Sequence, residues 1–467
     1  MWSPRQPPPY CSASVVGSND DLLTEILSHL QVKPLLRFKS VNKQWHSTIS
    51  HPSFSLLHSL RHPHPPPSAL YLLLHLPSSF PGFTSISLSS LRRPPPLPPP
   101  PFDIVQSSNG LFLSLSPLPS PYLHVLVSNP TTRSNTRIFL GSKNPISGSN
   151  PSSQALSGSG QGSDRFVGSG LGLSQVQLTG SVQDQVQAGG SGQGQVEVDG
   201  SIWWKVRLAG SGQEQMQVVG VSLGFDPGRW AHYYVIRVFR NGSDRFLMDV
   251  YDSGTGMWRD ATVYLDEAPF DTEFDRGVYW EGRVFWLSHT GNMVYYDIEN
   301  DVIGKLVLPK VFEQGSYLER FRYFGESCGH LHLIEIRTNC VREFDVLELE
   351  ETEGGNLEWF VKYRVDLDLV GCEFEDDMFQ DGVDRFGRRL RFYAFSILAV
   401  IRGIADEGNG DDEGFAELVL SIPGKVISYN FEKKISRLMC NVVDESDKWF
   451  PFRGYNAFQF IESLYCP

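Results

Sequence analysis

Cys328, His330 and His332 alternate along the chain. On a β-strand that spacing puts three metal-ligating side chains on one face, which is half of what a zinc site needs. They belong to the run Gly329-His330-Leu331-His332, which also reads as strand packing, and no carboxylate partner can be assigned to them. His58, His62 and His64 make a second group. Pro63 and Pro65 to Pro67 turn that stretch into an extended spacer with no second ligand cluster. His232, His289 and the many acids show neither triad nor paired-carboxylate spacing. The glycine-rich pieces at 158–161, 190–193 and 210–213 lack the Gly-Lys-Ser/Thr ending of a phosphate loop. No catalytic residue, metal or cofactor is therefore assigned. The chain reads as a protein that acts by binding.

The residues best placed to bind are apolar, and they are densest between Ser18 and Phe54. Leu22, Ile26 and Leu30 recur every four residues, and Leu23 and Leu27 widen the stripe. This predicts an amphipathic helix capped by Ser18, with Asp20 and Asp21 at the positive end of its dipole. A second helix is expected from Pro34, which suits a first helical position, and it carries Leu35, Leu36, Phe38 and Val41. A third carries Trp45 and Ile49 and stops at Pro52. About 35 residues are too few for a free-standing core. Something must cover part of this surface, either a partner or the rest of the same chain.

The segment resembles an F-box in the form common in plants. The family pattern is roughly Leu-Pro-x-x-Leu-Leu-x-Glu-Ile-Leu-x-Arg-Leu-Pro-Val-Lys-x-Leu-Leu-Arg-Phe-Lys-x-Val-x-Lys-x-Trp. Here the run is Leu22-Leu23-x-Glu25-Ile26-Leu27, then Leu30-x-Val32-Lys33-x-Leu35-Leu36-Arg37-Phe38-Lys39-x-Val41-x-Lys43-x-Trp45, with spacing held throughout. Ser18-Asn19 stands where Leu-Pro is usual, His29 where Arg is common, and the proline comes three positions late, at Pro34. The resemblance implies docking on a Skp-type adaptor and, through it, on a cullin–RING ubiquitin ligase. The implied docking residues are Leu22, Leu23, Ile26, Leu27, Leu30, Val32, Pro34, Leu35, Leu36, Val41 and Trp45. Some of them must instead hold the helices together.

Composition sets the outer bounds. The 467 residues suffice for two or three units. Six scattered cysteines with no paired spacing argue for a reducing compartment, so the chain is expected in the cytoplasm, the nucleus or both. The opening MWSPRQPPPY does not read as a signal peptide, and the apolar runs at 70–76 and 394–401 are too short to span a membrane. The sequon Asn241-Gly242-Ser243 carries no meaning in that compartment. Residues 1–102 hold eight Lys/Arg and three Asp/Glu; the remainder hold 32 and 50. An acidic body argues against nucleic-acid binding. The acidic runs 348–353, 373–377 and 406–413 read as solvated loops, or as a dock for a basic partner.

Residues 61–67, Arg-His-Pro-His-Pro-Pro-Pro, read as a stiff spacer, and Pro94 to Pro101 as a proline-rich loop. Residues 141–219 are rich in Gly, Ser and Gln and repeat Gly-Ser-Gly-Gln at 158, 190 and 210. They read as a disordered insertion in a surface loop, or as a segment that self-associates.

The rest alternates short strands with tight turns. Strands are expected at 233–239, 246–251, 281–287, 294–297, 328–333, 342–345, 418–422 and 426–430. Aromatic–polar pairs begin at Tyr251, Tyr296, Phe344 and Tyr429, separated by 45, 48 and 85 residues. A period of about 45 residues built of short strands is that of a β-propeller blade, with room for roughly six. Trp258, Trp280, Trp286 and Tyr251 then read as blade core. Ser107-Ser108-Asn109-Gly110-Leu111, Ser128-Asn129-Pro130-Thr131-Thr132, Leu223-Gly224-Phe225-Asp226, Tyr279-Trp280-Glu281-Gly282 and Glu462-Ser463-Leu464 resemble, in order, motifs of the plant F-box-associated domain, a relative of kelch propellers.

The expected fold is α+β and multidomain: a small three-helix F-box, then an all-β propeller-like domain of roughly six blades with a long low-complexity insertion. The divisions are a disordered tail at 1–15, the F-box at 16–60, the spacer at 61–67, the first part of the propeller at 68–140, the insertion at 141–219 and the rest of the propeller at 220–467. The resemblance implies the substrate-recognition subunit of an SCF-type ligase, non-catalytic by itself, binding a protein target but no nucleic acid or membrane. The alternative from another class is a propeller scaffold that binds proteins outside a ligase. A metal-bearing enzymatic propeller is the third.

Overall fold

The computed structural model describes residues 19–74, 82–88, 103–115, 124–140, 177–178, 206–207, 216–241, 245–260, 268–269, 271–288, 291–309, 321–336, 342–374, 378–383, 389–403, 415–441 and 457–467. The expected tail at 1–15, the prolines at 94–101, the acidic run at 406–413 and most of the insertion lie outside these residues.

Four helices open the described chain: α1 (Asp20–Ser28), α2 (Val32–Phe38), α3 (Lys43–Ser50) and α4 (Pro52–Arg61). Three of them, α1, α3 and α4, begin at a side chain that caps the first turn. Asn19 Oδ1 accepts from Asp21 N at 3.0 Å and Leu22 N at 3.1 Å, so Asn19 takes the cap expected of Ser18. Asn42 Oδ1 accepts from Trp45 N at 2.8 Å. α2 starts at Val32, two residues before the expected Pro34, which sits in the first turn, where its missing N–H has no intrahelical role. Pro52, read as the end of the third helix, also opens a fourth behind His51. Three helices were expected where four stand, because a proline that ends one helix is equally suited to begin the next.

The strands then form six blades around a ring. β1 (Ala69–Leu74) and β2 (Gly82–Ser87) make one blade with β27 (Ala457–Phe460), from the far end of the chain. β3 (Asp103–Ser108), β4 (Leu111–Leu115), β5 (His124–Asn129) and β6 (Ser134–Phe139) make the second. β9 (Met216–Gly224), β10 (Tyr234–Asn241), β11 (Arg245–Asp252) and β12 (Met257–Asp260) make the third. The fourth is β13 (Val278–Trp280), β14 (Arg283–Leu287), β15 (Asn292–Asp297) and β16 (Val302–Val307); the fifth is β17 (Phe321–Ser327), β18 (His330–Ile336), β19 (Glu343–Glu351) and β20 (Leu357–Asp366). The sixth is β23 (Ser396–Arg402), β24 (Ala416–Ile422), β25 (Lys425–Asn430) and β26 (Ile435–Asn441). A helical turn, α5 (Leu367–Gly371), and the hairpin β21 (Phe379–Val383) and β22 (Arg389–Tyr393) connect the fifth and sixth blades. Within the insertion, β7 (Gln177–Leu178) pairs β8 (Val206–Arg207), and β8 joins β9 through Arg207 and Gln217.

First strands of neighbouring blades touch: β3 meets β9, β9 meets β13, β13 meets β17, and β17 meets β23. The ring is closed by β27, which pairs antiparallel with β1 in the register Ala69 to Phe460 and also reaches β3. Every blade is sandwiched between two others, so both faces of its inner strands are dry, while outer strands such as β16 and β20 are largely exposed. Along β1, Leu70 and Leu72 enter the core shared with the fifth and sixth blades, while Ala69, Tyr71 and Leu73 enter the core shared with the second. That is why runs such as Ala69-Leu70-Tyr71-Leu72-Leu73 are apolar without alternation. Trp280, Trp286 and Tyr251 are blade core, at 6 %, 0 % and 4 % exposure.

One acidic run departs from expectation. Residues 348–351 lie on β19, and Glu348 is buried rather than looped into solvent. Arg402 of the sixth blade and two histidines of β18, described below, surround it.

Candidate adaptor-docking site

α1 carries two apolar stripes. Leu23 and Leu27 point inward and are 2 % and 1 % exposed, while Leu22 and Ile26, one residue earlier, are 44 % and 51 % exposed. The inward stripe meets Val32, Leu35, Ile49 and Phe54 in a small core. Leu30, Leu36, Phe38 and Trp45 are half-buried at its edge, with the Phe38 and Trp45 rings edge to face at 5.3 Å. Pro34 is also half-buried, and Val41 is exposed at 56 % between α2 and α3. The eleven residues read as a docking face thus divide. Leu23, Leu27, Val32 and Leu35 are internal. Leu22, Ile26 and Val41 are open to a partner, and Leu30, Pro34, Leu36 and Trp45 form the half-buried margin.

Polar contacts fasten the open stripe in place. Gln44 Nε2 donates to Asp20 Oδ1 at 2.6 Å. Glu25 is bridged by Arg61 and lies 3.4 Å from His29, and the Arg61 hydrogen bond holds its carboxyl below the ordinary range. His58 Nε2 lies 2.8 Å from the Leu30 carbonyl, and His62 Nε2 lies 3.1 Å from the Ser28 carbonyl. These carbonyls end α1 without an intrahelical partner, so the two imidazoles close the helix. Burial lowers the pKa of His58, which favours the neutral ring that donates here. Sequence reading missed this role, since a spacing of four along one helix shows nothing of the carbonyls of another.

The chain's last residues complete the unit. Leu464, 6 % exposed, lies in the same core as Leu23 and Phe54, and Glu462 Oε1 is 2.5 Å from Lys33 Nζ. The propeller therefore offers the helices one of its two faces. It is the face where the first and second strands of each blade turn, at Asn109-Gly110, Glu281-Gly282 and Cys328-Gly329. Both residues of each turn have positive φ, between 44° and 90°, the geometry of tight hairpin turns. At Gly110 a Cβ would stand 2.6 Å from Ser463 Cβ, and at Gly329 it would stand 2.8 Å from His64 Nδ1. Close approach by the chain's end and by the spacer requires glycine at both positions.

Of the alternating Cys328, His330 and His332, the two histidines of β18 meet one carboxylate and Cys328 lies outside the strand. Cys328 sits in the turn at φ 51°, and its thiol donates to the Arg402 carbonyl at 2.9 Å. His330 Nδ1 is 2.7 Å and His332 Nε2 3.5 Å from the Glu348 carboxylate, and Arg402 Nη1 is 2.7 Å from it. Burial would raise the Glu348 pKa, but the His330 hydrogen bond and the nearby His332 ring outweigh it and hold the carboxyl well below its usual range. Burial in turn lowers the pKa of His332. The group is an ion cluster fastening the fifth blade to the sixth. Among the described residues, no three His, Cys, Asp or Glu side chains are placed to hold a metal ion, and no helix is long and apolar enough to cross a membrane.

The F-box domain family matches residues 19–57. F-box protein At5g07610 of Arabidopsis thaliana is 26 % identical over 482 aligned positions, covering 97 % of this chain and 93 % of its own length. F-box protein At5g10340 of the same plant is 35 % identical over 134 positions, 25 % of this chain and 29 % of its own. Among solved structures, prolyl oligopeptidase B from Galerina marginata aligns with 49 % of this chain and 35 % of its own. It does so at 10 % identity and a TM-score of 0.24, too slight a likeness to argue from. The chain carries an F-box domain at its N-terminal end, followed by a six-blade β-propeller.

Proposed function

We propose that this chain is the substrate-recognition subunit of an SCF-type cullin–RING ubiquitin ligase, with the propeller, of kelch-like F-box-associated type, holding a protein target. The observation that carries the reading is the apolar surface left open on a folded F-box. Leu22, Ile26 and Val41 are about half exposed, and on the same helical unit Leu60 of α4 is exposed as well. Exposed aliphatic ridges on a small helical unit are what a helical partner covers. The subunit itself performs no chemistry. It raises the local concentration of target lysines at a ubiquitin-loaded partner.

Strand direction supports a site for the target. First strands run toward the F-box, and each four-stranded antiparallel blade returns the chain to the opposite face. The strand ends joined by 141–215, 261–277, 308–320 and 442–456 all lie there, as does the connection with α5 and the β21–β22 hairpin. Loops on a rigid scaffold are where binding specificity concentrates. Residues 16–60 are assigned as the F-box, 61–67 as spacer, 68–140 and 220–467 as propeller, and 141–219 as an insertion, whose last residues, 216–219, already pair in β9. A reducing compartment, cytoplasm or nucleus, suits such a subunit.

The test is co-purification of the full chain with a plant Skp-type adaptor, beside the variant Leu22→Glu/Ile26→Glu. The expected result is a stoichiometric complex lost in the variant while the propeller stays folded. Adaptor binding equal to wild type in the variant overturns the docking face.

A further inference from the structure

Residues 461–467 leave the closing strand β27 and run in extended form between the F-box and the propeller, with side chains alternating in direction. Glu462 and Leu464 go to the F-box, one to Lys33 and the other into the helical core. Ser463 and Tyr465 go to the propeller. Ser463 fills the space over Gly110, and the Tyr465 ring lies 4.6 Å from Phe225 and 6.3 Å from Tyr233. The backbone is tied down as well. Asn129 Nδ2 donates to the Ser463 carbonyl at 3.1 Å and to the Tyr465 carbonyl at 2.7 Å, and Thr136 Oγ1 donates to the Pro467 carbonyl at 2.9 Å.

We propose that this C-terminal strap is part of the adaptor-docking unit: Leu464 completes the F-box core and, with Glu462, fixes the docking ridge at one orientation to the propeller. The inference rests on the adaptor-docking reading for its consequence, but not for its structural half. Seven buried apolar residues make up the F-box core, and Leu464 is one of them, supplied from more than 400 residues away. A core that small has no reserve, so losing one member loosens the whole. Leu23 and Leu27 belong to that core and lie roughly 100° round α1 from Leu22 and Ile26, so disorder in the core becomes disorder in the ridge. Leu464 is thus a positioning residue. It meets no partner and acts through α1.

The experiment compares the full chain with Leu464→Ser and Leu464→Met by hydrogen exchange resolved to α1–α4 and to the blades, and by binding to a Skp-type adaptor. Leu464→Ser is expected to speed exchange of the helical amides by about tenfold or more while blade amides stay protected. Adaptor affinity is expected to fall in parallel, and Leu464→Met, which keeps the volume, should restore both. A charge exchange, Lys33→Glu with Glu462→Lys, should bind better than either single change. Helical exchange unchanged in Leu464→Ser overturns the strap, whatever the adaptor does. Loosened helices in a chain whose wild type binds no adaptor would leave the strap standing and sink the docking reading instead.

Discussion

Ile26 and Leu27 are neighbours on one helix with opposite burial, so truncating each separates docking from folding. Ile26 leaves 51 % of its surface exposed, whereas Leu27 leaves 1 %. Half of an isoleucine is on the order of 80 Å² of apolar area, which at roughly 25 cal/mol per Å² is about 2 kcal/mol on being covered. Alanine would keep a small part of that, so Ile26→Ala should weaken adaptor binding by about 1.5 kcal/mol, close to tenfold in Kd. Its effect on the free chain should be within about 0.5 kcal/mol, as for other exposed positions. Leu27→Ala should do the reverse in origin, opening a cavity that costs the F-box about 2–5 kcal/mol and removing binding through loss of fold. Titration calorimetry with a Skp-type adaptor measures the first effect, and hydrogen exchange of α1–α4 measures the second. Ile26→Ala binding with wild-type affinity would refute the reasoning, since the ridge would then stay uncovered in the complex.

Two further outcomes follow from buried charge. Arg237 and Asp249 form an ion pair at 5 % and 2 % side-chain exposure, with the guanidinium 4.4 Å from the Phe239 ring and 4.2 Å from the Trp258 ring. Arg237→Leu should lower the stability of the third blade by about 3–5 kcal/mol, and adding Asp249→Leu should recover most of it; denaturant midpoints that stay low in the double variant would count against this account. His58 has its pKa lowered from 6.5, chiefly by burial. Its folded form therefore binds fewer protons than the unfolded chain, so stability is full above the unfolded value and falls as pH drops through it toward the folded one. Protection factors of the α1–α4 amides, which correct for the intrinsic pH dependence of exchange, should fall between pH 7.5 and pH 5.5, and His58→Gln should flatten that dependence; the same slope in the variant would show that another group titrates.

The F-box and the propeller were legible in the sequence for different reasons. In the F-box a gapless run of apolar residues at helical spacing sufficed to place α1, α2 and α3 within a few residues. Period two and the turn residues placed most blade strands, and the interval of about 45 residues matches one blade. One marker was not equivalent to the others. Tyr251, Tyr296 and Tyr429 pair beside the turn into the fourth strand, with Trp258, Ile303 and Ser436. Phe344 pairs with Val365, at the far end of its strand. The interval survived because strands are only six to nine residues long there, so a shift within one is small against the blade. What stayed hidden was everything long-range. No local pattern shows that Glu348 faces Arg402, that His58 closes α1, or that Leu464 belongs to the F-box, because each joins segments that only tertiary packing brings together.

Ring closure also decides how the two units can work together. β27 pairs with β1, and residues 461–467 run from it to the second blade, so the strap is anchored on both sides. A flexible joint would let the propeller sample many orientations and dilute the effective concentration of a bound target at the ligase. Here three attachments hold the F-box to one face: the spacer over Gly329, Leu464 in the helical core, and the Lys33–Glu462 pair. Two attachments would still allow rotation about the line joining them; three that are not collinear do not. The same face cannot then also receive a large target, because the helices and the strap occupy it. On the proposed reading, target capture falls to the opposite rim, where five of the connections between blades begin and end. The division of labour between the faces therefore follows from the direction in which the first strand of each blade runs.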